Sequence, residues 1–246
     1  MLKLIYSELL KLKKSMAFRI LLLCQVIMSI FLLITMLSSG TAADNHQFNG
    51  LYAFHTALSD QGLLSVIISL FAAFFICGEY SHRTIGMALF SGHRRREILL
   101  AKIIILVVGA CIISLVYPIA LTALFTWQFG FGAAVDTALA YLMARSVALY
   151  LAGCAGITCF LAALAVLIQN LGGTIGAGII ILLVLFGISG APAFEPFMRF
   201  TMLWQLSHMA LINTAGQVLQ YAAVAAGTIV LTVCAAIIIF ERSELK

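Results

Sequence analysis

Charge is what this 246-residue chain has least of: only 9% of its residues are Asp, Glu, Lys or Arg, and 63% are hydrophobic, with a mean hydropathy of +1.14. An ordinary soluble domain is about 25% charged and about 45–50% apolar, so a water-soluble fold is excluded and the bilayer becomes the medium in which the chain folds. Other absences narrow the chemistry. No GxxxxGK[ST] phosphate loop occurs, so nothing here is built to cradle ATP. No HExxH motif and no paired carboxylate lies within an apolar run, which removes the usual constellations for metal or acid–base catalysis. The six cysteines, Cys24, Cys77, Cys111, Cys154, Cys159 and Cys234, sit in or at the edge of apolar runs without a CxxC pair, which reads as small apolar packing rather than disulfides or a metal centre. The absence of Asp and Glu from the interiors of those runs argues against a proton- or ion-coupled carrier.

What is there in quantity is apolar sequence. A hydrocarbon core about 30 Å thick needs about 20 helical residues to cross it, and six runs qualify, placed at Met16 to Leu37, Gly62 to Cys77, Ile103 to Thr126, Leu142 to Ile168, Leu171 to Ser189 and Val218 to Phe240. The second is the shortest and is expected to borrow a turn from the residues before Gly62. The first exceeds the 7–15 apolar residues of a signal peptide and reads as a retained anchor. With six spans, twelve of the fourteen basic residues fall on one side: Lys3, Lys11, Lys13, Lys14 and Arg19; Arg83, Arg94, Arg95, Arg96 and Lys102; Arg242 and Lys246. Positive loops resist translocation, so both termini are expected in the cytoplasm of a multi-pass cell-membrane protein. The net charge of +5 thus sorts by membrane side and does not imply a nucleic-acid partner.

The remaining basic residues are Arg145 and Arg199. Arg145, near the outer end of the fourth span, suits either a snorkelling anchor or a cation lining a translocation path. Trp127 and Trp204 fall near outer span ends as interfacial anchors should, with substrate stacking the alternative for Trp204. Pro118 is expected to kink the third span, and Gly172, Gly173, Gly176 and Gly178 to let helices approach the fifth.

Three segments are not ordinary loops. Residues 1–15 space Leu2, Ile5, Leu9, Leu12 and Met16 by three and four, with Lys3, Ser7, Lys11 and Lys14 elsewhere around the helix, which predicts a cytoplasmic amphipathic helix on the inner leaflet. Residues 78–102 order an exit acid, a short apolar segment, a Ser-Gly break and a basic cluster: Gly78-Glu79-Tyr80-Ser81-His82-Arg83-Thr84-Ile85-Gly86, Met87 to Phe90, Ser91-Gly92-His93-Arg94-Arg95-Arg96-Glu97, then Ile98-Leu99-Leu100-Ala101-Lys102. Residues 190–216, with Pro192, Pro196, Phe197, Phe200 and Trp204, are too apolar for an exposed loop and too broken for a span, which predicts an outer interfacial or re-entrant segment.

The middle segment resembles the coupling region of type-2 ABC (ABC-2) exporter permeases, notably the bacitracin and lantibiotic self-protection group, through Glu79, Tyr80, Thr84, Arg94 to Arg96 and Lys102. The resemblance implies an all-α membrane protein of one permease domain over 1–246, with six spans and a coupling helix between the second and third. It implies no catalytic site in this chain, and an antibiotic-resistance role exporting a peptide antibiotic, lipid or drug. ATP and Mg would be held by a separate ABC ATPase subunit, expected in two copies, and a second permease, identical or paralogous, would complete a dimer in the membrane lipid. Contact with the ATPase would fall on Glu79, Tyr80, Arg83, Thr84, Ile85, Met87, Arg94, Arg95 and Arg96. Two other functions compete: a passive channel or ion-coupled carrier, and an intramembrane serine protease of the rhomboid kind, suggested by Gly187-Ile188-Ser189-Gly190. The protease needs a histidine base near Ser189; the last span has none and the nearest downstream is His208.

Overall fold

The computed structural model describes residues 2–38, 49–81, 95–134, 136–189, 201 and 215–242. Every regular element among them is helical. The helices are α1 (Leu2–Lys14), α2 (Met16–Ser38), α3 (Gly50–Ser59), α4 (Gln61–Ala72), α5 (Gly78–Ser81), α6 (Arg95–Phe129), α7 (Thr137–Ile168), α8 (Leu171–Ser189) and α9 (Ala215–Arg242), with a π-turn at Ala73–Cys77 joining α4 to α5.

Helices are the expected answer to this composition, because in hydrocarbon each backbone N–H and C=O needs a partner and a helix supplies them within one segment. Four helices, α2, α6, α7 and α9, are long and apolar enough to cross a membrane. A fifth crossing results if α3 and α4, bent by 51° at their junction, count as one span. The residues before Gly62 supply more than the single turn expected from sequence: they form a helix of their own, α3, set at 51° to α4. In α8 the apolar stretch Leu171–Leu185 is shorter than the other four.

Burial separates core from periphery. In the most apolar stretches of α6 and α7, 61% and 56% is buried inside the protein, against 17% in each of α2 and α9. The central pair carries the main core, including Leu106, Ile113, Tyr150, Cys154, Leu161 and Val166. The outward faces of α2 (Ile20, Leu23, Ile27, Phe31) and α9 (Leu219, Val230, Leu231) stay bare and apolar, surfaces suited to lipid. Trp127, two residues before the end of α6, is 90% exposed, where an interfacial anchor belongs.

Pro118 lies inside α6 without ending it. A mid-helix proline lacks the N–H that would bond the carbonyl four residues back, which here belongs to Ser114. The buried Tyr150 of α7 donates its hydroxyl to that carbonyl at 3.1 Å. The group orphaned by proline is thus satisfied from the neighbouring helix, and the tyrosine hydroxyl is satisfied too. Two glycines of α8 make close approaches: a Cβ on Gly178 would collide with Ser69 Oγ of α4 and meet Leu161 of α7 at 3.2 Å, and one on Gly173 would come within 2.9 Å of Ile168, whereas Gly176 faces open space.

A second, smaller core joins α3 to the C-terminal half of α6 through Ala53, Ala57, Tyr117, Leu121 and Phe125. There Gly50 N–H donates to Gly130 O at 3.0 Å and Leu51 N–H to Phe131 O at 3.1 Å. Asn49 Oδ1 caps α3 by accepting from Tyr52 N–H at 2.8 Å, and its side chain fills the space that a Cβ on Gly132 would need.

Candidate functional site: a closed ring of charge

The chain gathers its scarce charge at the opposite end of α6. Four side chains from three helices form a closed ring. Lys11 Nζ donates to Glu8 Oε1 at 2.7 Å and to Glu79 Oε1 at 3.0 Å. Lys102 Nζ reaches Glu8 Oε2 at 3.3 Å and pairs with Glu79 Oε2. Among the described residues each carboxylate oxygen meets one ammonium, and the four members together carry no net charge. Its inner members are almost closed off, with side-chain exposures of 5% for Lys102, 6% for Glu8 and 18% for Glu79; Lys11, at 51%, is the open edge.

Local sequence explains each position. Along α1 the residues that turn to the protein are Ile5, Glu8 and Leu12, spaced by three and four. Leu12 reaches Gly109 of α6, where a Cβ would meet its Cδ1 at 3.1 Å. Leu9 and Met16, read from sequence as part of one apolar stripe with Ile5 and Leu12, are exposed beside Tyr6. The helix thus has a protein-facing edge with an acid at its middle and an adjoining bare apolar edge, as expected of a helix wedged between a bundle and a membrane interface.

Lys102 sits between buried Ala101 and Ile103, two turns into α6, where only a paired charge is tolerable. Glu79 is aimed by the π-turn. At 3.6 residues per turn, the one extra residue of a π-turn rotates whatever follows by roughly 100°, and Glu79 is the second residue after the turn ends at Cys77. The turn is pinned by Cys77, whose Sγ lies 3.2 Å from Thr174 Oγ1 of α8. Burial opposes the charge on Lys11, but hydrogen bonds and attraction from Glu8 and Glu79 outweigh it and hold the ammonium above the ordinary lysine value.

A second pair lies at the same end. Arg96, in the first turn of α6, forks onto Glu241 near the end of α9, one arm at 3.1 Å. It is solvent-exposed, and an exposed pair adds little to stability.

Of the residues predicted to meet a partner, Glu79 is in the ring, Tyr80 is half-buried against the main core, Arg96 is on Glu241, and Arg95 opens α6. Arg83, Thr84, Ile85, Met87 and Arg94 lie outside the described residues, as does Trp204. Arg145 is half-buried, more than two turns into α7, because the helix begins at Thr137, five residues before the expected start of the span. Ser189 ends α8, and His208, the base a protease would need, is outside the described residues.

Sequence reasoning missed Glu8, and it left Lys11 and Lys102 out of the site. The signal for Glu8 was its register: an acid at the centre of the Ile5–Leu12 edge, where an apolar residue belongs, demands a buried cation. Lys102, embedded in an apolar run, made the reciprocal demand.

Comparison with known families agrees with this architecture. Residues 4–190 match the family described as ABC-2 family transporter protein. The chain belongs to the ABC-2 transporter family. No curated protein matches it significantly. Membership makes it a multi-pass membrane permease of an ABC transporter and implies pairing with an ABC ATPase subunit. The matched range takes in the ring, the π-turn and the central helices of this ABC-2 protein.

Proposed function

We propose that this ABC-2 permease spans the membrane six times with both termini in the cytoplasm. It exports an amphipathic or hydrophobic substrate, with a peptide antibiotic of the bacitracin or lantibiotic type the first choice and a lipid or drug the others. Two permeases pair, and two ATPase subunits holding ATP and Mg dock at the charged end; ATP hydrolysis belongs to them. The sixth span is α8, short enough to rely on local thinning of the bilayer.

The observation that carries this reading is the closed ring. It ties together the two helices that flank residues 82–94, α5 and α6, and joins both to α1, the helix that leads into α2. The coupling contact is assigned to the segment between them, Ile85 to Phe90, with Arg83, Thr84, Met87 and Arg94 to Arg96 orienting the ATPase. When the ATPase pair closes on nucleotide, force entering between α5 and α6 is passed through Glu79 and Lys102 to α1 and so to α2. A neutral, fully paired ring suits that task because its members move together more cheaply than they separate.

The test is purification with the native ATPase from mild detergent, followed by ATP hydrolysis and export in reconstituted vesicles. Glu79→Ala and Arg95→Glu are expected to leave hydrolysis running without coupled export, with helix content unchanged by circular dichroism. Full export in both variants, or a preparation containing no ATPase subunit, would overturn the assignment.

A further inference from the structure

Beside the ring, a cleft of about 420 Å³ opens between the corner joining α1 to α2 and the π-turn with the start of α5, lined by Lys11, Ser15, Ala17, Phe74, Phe75 and Glu79 among others. Its two sides differ in chemistry. The polar side has Lys11, whose ammonium carries three N–H groups, two of them given to Glu8 and Glu79. Ser15 adds a hydroxyl that accepts from Phe18 N–H at 3.4 Å and keeps its own hydrogen to donate. The apolar side has Phe75, backed by an aromatic stack in which Phe75 and Phe71 are 5.7 Å apart and Phe71 and Phe18 5.9 Å apart. Phe74, next to it, presents an exposed ring. Around the corner, Lys13, Lys14 and Arg19 are exposed as well, so that Lys11, Lys13, Lys14, Arg19 and Lys102 outnumber Glu8 and Glu79.

We propose that this cleft binds an anionic phospholipid, with its phosphodiester on the free N–H of Lys11 and the Ser15 hydroxyl and its acyl chain along Phe74 and Phe75. The juxtaposition selects the ligand: a cation with one donor to spare, a hydroxyl, a surplus of positive charge, and directly beside them an aromatic wall at the membrane end of the helix. A free phosphate ester would use the first three and leave the wall bare. An uncharged lipid would use the wall and leave the surplus charge unmet. The same lipid would complete the ring's open edge, since Lys11 is its most exposed member. The inference rests on the membrane setting alone and holds whichever substrate or ATPase the permease serves.

The test uses the full chain with Trp127→Phe, Trp204→Phe and Phe74→Trp, leaving one tryptophan at the cleft, reconstituted in phosphatidylcholine vesicles containing brominated phosphatidylglycerol or brominated phosphatidylcholine as quencher. With juxtamembrane cations worth roughly 1 kcal/mol each toward anionic lipid, half-quenching is expected at about fivefold lower mole fraction of the anionic lipid. Ala17→Phe, which fills the cleft, should abolish that preference, and Lys11→Gln should reduce it; if Ala17→Phe does not fold, Lys11→Gln decides. Equal quenching by the two lipids would overturn the proposal as ordinary contact with bulk lipid, as would a preference that survives both substitutions. Loss of the preference on adding soluble glycerol phosphate would replace the lipid with a free phosphate ester. Absence of quenching by either lipid would show the cleft covered by protein.

Discussion

The two ends of α6 are held by opposite means. At its N-terminal end, α1 and α5 are fastened to it by the ring of Glu8, Lys11, Glu79 and Lys102. At its C-terminal end, α3 is fastened by main-chain hydrogen bonds to Gly130 and Phe131, an asparagine cap and a small apolar core. Main-chain bonds and close packing act only at contact distance. A set of two acids and two lysines is held by attraction that reaches further and responds to salt and pH. The difference sets a joint made of charge at one end against a joint made of main-chain bonds and packing at the other, and each is open to attack.

The largest effect is expected from Lys102→Met. It leaves two nearly buried carboxylates sharing the exposed Lys11, and breaking a buried ion pair from one side costs about 3–5 kcal/mol. Thermal inactivation of the purified protein, followed by size-exclusion chromatography, should show that loss, and Glu8→Gln added to Lys102→Met should recover part of it. If the double variant is no better than the single, the ring is not a coupled unit.

The packed joint should break at Gly132, where φ is +86° and a Cβ would run into Asn49. A β-branched residue is strained in that conformation whatever the space, so Gly132→Val is expected to cost about 1–3 kcal/mol. In contrast to Lys102→Met, the loss should not change with salt or pH in the same assay. A salt-dependent loss would mean that the far end, too, is held by charge.

Midway along α6, Tyr150→Phe should cost about 1–3 kcal/mol by leaving the Ser114 carbonyl unsatisfied. In a Pro118→Ala background residue 118 can supply its own N–H, and the cost should largely vanish. An equal penalty in both backgrounds would show that the hydroxyl serves something other than the proline gap.

The smallest effect concerns the open edge of the ring. The pKa of Lys11 is raised in the folded protein, so the contribution of its charge is fully present below the ordinary lysine value of 10.5 and is lost as pH rises through the higher folded value. Hydrogen exchange of α1, corrected for the intrinsic effect of pH, should therefore stay constant up to about pH 10 and quicken above it. Quickening near neutrality would assign the hold on α1 to another group.

Much of this arrangement is legible from composition and spacing. The helix starting at Met16, and those ending at Ile168 and Ser189, agree with the expected spans to within a residue, because a run of apolar side chains about 20 long has one stable solution in hydrocarbon. The amphipathic period of α1 is equally plain. The end of the second run is less so: that α3 is a separate helix and that Ala73–Cys77 forms a π-turn depend on Asp60 and Cys77 meeting Tyr117 and Thr174, which are remote in sequence. The site was half legible. Glu79 and Arg96 stand out in a loop rich in polar residues, whereas Glu8 and Lys102, the more deeply buried half of the ring, were concealed in apolar stretches.

The sequence by itself determined that this protein lives in a membrane and where most of its long apolar helices lie, since both follow from transfer energies that act residue by residue. Only the tertiary structure decided which acid meets which lysine, which carbonyl receives the Tyr150 hydroxyl, and where α1 docks. Those are pairings between residues as many as 94 positions apart, and a buried charge or an orphaned carbonyl announces that it needs a partner without saying which one it will find.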